Sequence, residues 1–71
     1  MYYQVITALV HLQLTKRLLL NTPANRLAIL TEIRDVWADF DGEWSDGDLA
    51  MLANMNVMIA MHEVDMQFQL N

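Results

Sequence analysis

The 71-residue chain has no cysteine, one proline, two glycines and a single serine. Without cysteine there is no disulfide to staple a small domain, and no thiolate to bind metal or attack a substrate. Gly42 and Gly47 are the only glycines, so no glycine-rich phosphate loop can form. Ser45, the sole serine, reads as a helix cap, and no nucleophile–base arrangement surrounds it. The most apolar stretch, Tyr2 to Leu20, is broken by Gln4, His11, Gln13, Lys16 and Arg17, whereas a membrane span needs about 20 mostly apolar residues. The N-terminus carries neither the basic region nor the small-residue cleavage site of a secretory signal. These absences predict a cytoplasmic, non-enzymatic protein with no cofactor and no metal.

Acid is also missing, but from one half only. Residues 1–31 contain no Asp or Glu and carry Lys16, Arg17 and Arg26. The other forty residues hold all nine acids against one base, Arg34. Seven of those acids (Glu32, Asp35, Asp39, Asp41, Glu43, Asp46 and Asp48) fall within seventeen residues and flank Trp37 and Trp44. Segregated charge marks where partners of either sign dock. A net charge of −5 argues against a general nucleic-acid binder.

What is abundant is apolar: 55% of the residues are hydrophobic. A chain this short has little interior, so part of that surface must be covered elsewhere, and oligomerisation is one common means. The pattern is helical, with scattered Val and Ile and no alternation. Asn21-Thr22-Pro23 forms one break, with Thr22 as N-cap and Pro23 at the first helical position. Phe40 to Trp44 forms the other, followed by a capping box from Ser45 to Asp48. The expected helices run Tyr2–Leu20, Pro23–Asp39 and Asp46–Leu70, a helical hairpin plus a third helix in one all-α domain.

The faces of these helices point to a homodimeric bundle. Helix 2 has one apolar face of Ile29, Leu30, Ile33, Val36, Trp37 and Phe40. Helix 1 is apolar around most of its girth, which predicts cover on most sides. At 100° per residue, helix 3 carries Leu52, Met55, Ile59, Met66 and Leu70 on one side, and Val57, Met61, Val64 and Phe68 on the opposite side. The first stripe can pack on the chain's own helices. The second requires a partner, most simply a second copy related by a twofold axis, with Lys16/Arg17 of one chain near the acids of the other. Five methionines on helix 3 suit an irregular core or an adaptable groove.

Two chemical readings fail on spacing. Asp39, Asp41 and Glu43 match positions one, three and five of a calcium loop, but Trp44, Asp46 and Ala50 then occupy positions six, eight and twelve, where glycine, an apolar residue and glutamate are required. His62-Glu63-Val64-Asp65 lacks the second histidine of a zinc helix, and His62 with Asp65 gives two ligands at most. Trp44 precedes the Ser45 cap and is expected to staple onto Leu49, with an aromatic anchor at an interface as its functional alternative.

The stretch Trp44-Ser45-Asp46-Gly47-Asp48-Leu49-Ala50 resembles the Leu-Ser-Asp-Asn-Glu-Leu-Ala helix start of the Hha/YmoA family, small helical modulators that bind nucleoid-associated proteins. The likeness covers seven of 71 residues. The helix before it is longer than the family's, and the family's basic residues are missing. In type, the chain is similar to small acidic accessory proteins of phages and plasmids that modulate a host protein. The function expected is a protein-binding modulator or adaptor that docks on a basic patch of another protein through Asp39, Asp41, Glu43, Trp44, Asp46 and Asp48. The alternatives are a nucleic-acid mimic, or a DNA-associated regulator using Lys16, Arg17, Arg26 and Arg34.

Overall fold

A computed structural model describes residues 2–70, with the side chains of residues 69 and 70 left aside. Three helices appear: α1 (Tyr2–Lys16), α2 (Pro23–Ala38) and α3 (Asp46–Leu70), with no strand among the described residues. Both predicted N-terminal signals operate. Thr22 Oγ1 accepts from the Asn25 amide at 3.2 Å, with Pro23 next in line. Ser45 Oγ accepts from the Asp48 amide at 3.1 Å while the Asp48 carboxylate accepts from the Ser45 amide at 3.0 Å, a reciprocal capping box.

α1 ends four residues earlier than its composition predicts. Leu18 adopts φ 56°, in the left-handed region. The Leu18 amide bonds to the Thr15 carbonyl at 3.2 Å and the Leu19 amide to the Leu14 carbonyl at 2.9 Å, the two bonds of a Schellman stop. Side chains from the start of α2 hold this turn. Asn25 Nδ2 donates to the Leu20 carbonyl at 2.8 Å, and Arg26 Nη1 donates to Asn21 Oδ1 at 2.7 Å. A position that suits glycine is thus occupied by a leucine, 92% exposed, with no packing to lose. Leu18→Gly is therefore expected to stabilise the fold by about 0.5–1 kcal/mol, part of the relieved strain being offset by the freer unfolded chain. Urea titration of both proteins measures it; a lower midpoint for the glycine variant contradicts the strain argument.

Contacts between the helices fix their directions. Arg34 Nη1 donates to Asn56 Oδ1 at 2.7 Å, and Trp37 Nε1 donates to the Asp48 carbonyl at 3.2 Å, so α2 and α3 run antiparallel. The Tyr2 hydroxyl lies beside Gly47, and His11 and His62 share a groove, so α1 and α3 run the same way. Nine buried residues form the core: Ile6, Val10 and Leu14 from α1, Ile29 and Leu30 from α2, and Met51, Met55, Met58 and Ile59 from α3. One methionine stripe is therefore core, as thioethers commonly are.

The core occupies only part of the molecule. With 25 residues, α3 is about 37 Å long at 1.5 Å per residue, against about 23 Å for α1 and α2. The longest dimension of the protein is 40 Å, which is essentially α3. Among the described residues its last buried one is Ile59, so the final turns reach past the body formed by the shorter helices. The accessible surface of 5175 Å² exceeds the roughly 4,500 Å² of a compact monomer of 8.2 kDa. Fourteen large hydrophobic side chains are exposed against nine buried. The cover expected around α1 does not come from its own chain, which leaves Tyr3, Val5, Leu9 and Leu12 exposed. Val57, Met61, Val64 and Phe68 are 48–75% exposed.

Arg17, expected near the acids of a neighbouring copy, pairs with Glu32 in the single chain. Its two terminal nitrogens donate to the two carboxylate oxygens of Glu32, both at 2.8 Å. Their hydrogen bonds, and secondarily their opposite charges, hold the Glu32 carboxyl below its ordinary range and raise the guanidinium. A carboxylate whose folded-state pKa is depressed stabilises the fold above its unfolded value, and that contribution is lost as pH falls through the lowered folded value. Glu32→Gln is expected to flatten the acid side of the stability profile slightly, since the pair is exposed. Thermal melts between pH 3 and 6 check this; equal slopes in the two proteins rule it out.

Candidate functional site

The corner between α2 and α3 is built by three local devices. α2 closes at Asp39, whose amide donates to the Asp35 carbonyl at 3.0 Å, while the Phe40 amide donates to the Trp37 carbonyl at 3.3 Å. Phe40 then leaves the helix with its ring over Gly42, where an added Cβ would require the exposed ring to swing aside. Trp44 folds back: its indole Nε1 donates to the Phe40 carbonyl at 3.1 Å, and its ring meets Phe40 edge-on at a centroid distance of 6.3 Å. The staple expected between Trp44 and Leu49 is replaced by this aromatic pair, and Leu49 is left exposed. The Trp37 indole, held to the first turn of α3, forms the inner wall.

These elements enclose an open groove of about 400 Å³ lined by Val36, Trp37, Phe40, Glu43, Trp44 and Asp48. Three aromatic rings and a valine make its walls, and two carboxylates stand on its rim. Of the predicted docking residues, Glu43, Trp44 and Asp48 meet in this groove. Asp39, Asp41 and Asp46 are exposed around the same corner and do not line it. Val36 and Phe40, assigned by periodicity to the core face of α2, are exposed and line it instead. The signal that could have found them is positional. They lie in the last turn of α2 and just beyond it, where the chain must turn away before a core can form on both sides.

Charge at the corner divides into two kinds. Asp46 and Asp48 occupy the first turn of α3, where the helix dipole favours carboxylates, and Asp48 also closes the capping box. Asp35 and Asp39 lie at the C-terminal end of α2, which has no basic residue in its last turn. There the dipole is negative and a carboxylate is unfavourable. Arg34 Nε donates to Asp35 Oδ1 at 2.7 Å and relieves that residue. Asp39 sits at the unfavourable end, with Asp41 and Glu43 following it in sequence.

A second exposed surface runs along α3. Val57, Met61, Val64 and Phe68 recur at intervals of four, three and four, the spacing of a helix-pairing seam. A shallow, mostly apolar depression of about 380 Å³ lies on it, lined by Val57, Ala60, Met61, Val64 and Asp65. Asp65 points to this side, whereas His62 borders a different groove, so the two do not form a shared ligand pair. Among the described residues, no three His, Asp or Glu side chains are grouped to hold a metal ion, and no helix is long and apolar enough to cross a membrane.

No protein-family model, curated protein or solved structure matches the chain. The seven-residue likeness to the Hha/YmoA helix start reduces to the capping box that Ser45 and Asp48 form.

Proposed function

We propose that this protein is a non-enzymatic adaptor or modulator that works in the cytoplasm, in the manner of a phage- or plasmid-borne accessory protein, and docks through the α2–α3 corner onto a basic patch of another protein. The observation that carries this reading is the aromatic groove rimmed by carboxylates. Aromatic side chains dominate the energetics of protein interfaces, and a surrounding ring of charge selects a partner of opposite sign. The groove suits an aliphatic or aromatic anchor residue flanked by Lys or Arg. A mimic of nucleic acid needs spaced rows of charge and has no use for an apolar cleft at their centre. Direct DNA binding has little support, since the chain carries a net charge of −5 and Arg17 and Arg34 are each paired with a carboxylate of the same chain.

Under this proposal the chain acts as a twofold dimer joined along Val57, Met61, Val64 and Phe68. The support is their exposure, their pairing-seam spacing, and a surface excess of the order of one partner's share of a standard interface, about 800 Å². The test of docking is tryptophan fluorescence. A peptide with a central Leu or Trp between Lys residues should shift the emission of the native chain saturably, and an acidic counterpart should not. No response to the basic peptide rejects the corner as a docking surface.

A further inference from the structure

A third groove, at the opposite end of α2 from the acidic corner, opens between all three helices with a volume of about 260 Å³. Tyr3, Thr7 and His11 line it from α1, Arg26 from α2 and His62 from α3. The chain has six basic side chains, four Lys or Arg and two His. Three of the six meet in this groove, while none of the nine carboxylates lines it. We infer that it binds a small oxyanion of the phosphate or carboxylate class, held by Arg26 and the two imidazoles.

The geometry favours a ligand over an incidental gathering of side chains. Behind the polar rim, Val10, Leu30 and Met58 belong to the buried core and close the groove against the interior. Arg26 is half-buried, and both of its described hydrogen bonds run through Nη1 to Asn21. Those bonds orient the planar guanidinium, which has five N–H groups in all. Arg26 lies in the opening turns of α2, at the positive end of that helix dipole, so backbone and side chain act with the same sign. Hydroxyls on Tyr3 and Thr7 add donors that suit an oxyanion. The volume falls near the lower limit of ligand pockets, which suits a small anion and excludes a nucleotide.

The acids on the surrounding elements do not compete. α1 has none. On α2, Glu32 is held by Arg17 and Asp35 by Arg34. On α3, Asp65 lines a different groove, Glu63 is exposed and absent from this lining, and Asp46 and Asp48 sit in the first turn, at the acidic corner. The charged residue lining the groove is then Arg26, with the two imidazoles as further hydrogen-bonding groups.

Inorganic phosphate and acetate, titrated separately against the full chain at one fixed pH with ionic strength held by chloride, test this. The ring signals of His11 and His62 in NMR spectra are expected to move together and saturate. The tighter of the two anions identifies the class. Arg26→Gln should weaken binding at least tenfold while leaving the basic-peptide response of the corner unchanged. If that variant loses its helical circular dichroism, His11→Gln, at an exposed ring, should weaken binding at least threefold. Ring shifts no larger than those given by chloride, or unchanged affinity in a folded variant, overturn the assignment.

Discussion

Replacing Met61 and Val64 together with glutamate is expected to abolish self-association of this protein while leaving the three-helix body folded. Both residues lie beyond the last core position, Ile59, on the exposed side of α3. In an isolated chain they touch little, glutamate is as good a helix former as methionine, and the melting temperature should barely change. Across a twofold interface each substitution counts twice, and each buried side chain of this size contributes about 1.5–3 kcal/mol. The dimer dissociation constant should therefore rise at least 100-fold, about 2.7 kcal/mol, on the most conservative reckoning. Sedimentation equilibrium separates the cases. A wild-type chain that sediments at 8.2 kDa up to about 1 mM would remove the seam from consideration.

The second large effect is a change of opposite sign in stability and in binding at one residue. Asp39→Lys should stabilise the protein by about 0.3–1 kcal/mol, because it exchanges the wrong charge for the right one at the C-terminal end of α2. The same substitution should weaken docking of a basic peptide. Combined reversal of Asp41, Glu43 and Asp46 to Lys should eliminate docking, although Asp46 to Lys alone weakens the start of α3. Trp44→Ala should reduce affinity by about 2 kcal/mol or more if the indole is the anchor. Isothermal calorimetry and urea titration on the same samples give both quantities. An Asp39→Lys protein that binds as tightly as wild type would show that the corner acids are only solvated turn.

Much of the fold was legible from local chemistry. Thr22 with Pro23, and Ser45 with Asp48, are short-range hydrogen-bonding devices, and they place the two N-termini where the residue types predict. The two-sided pattern of α3 carried over in part: Met55 and Ile59 of the inner stripe entered the core together with Met51 and Met58, Leu52 and Met66 are half-buried, the Leu70 side chain lies outside the described residues, and Val57, Met61, Val64 and Phe68 are exposed. What failed depended on contacts distant in sequence. Leu18, Leu19 and Leu20 continue an apolar helical pattern, yet the chain turns there because Asn25 and Arg26, reaching back from the next helix, hold the linker. Val36 and Phe40 share periodicity with Ile29 and Ile33, and periodicity does not record where the opposing helix begins. The groove of His11, Arg26 and His62 draws on three helices, and residues 36 positions apart cannot be related by spacing when their helices pack in a register that only the core determines.

The projecting end of α3 also separates two kinetic regimes. The body closes through helices adjacent in sequence, joined by short connections, a topology that folds in microseconds to milliseconds irrespective of concentration. The last turns lie beyond the last buried residue, Ile59, and Val64 and Phe68 on them are exposed. Under the proposed dimer, the apolar side of those turns is covered only after a bimolecular encounter, a step that depends on concentration while closure of the body does not.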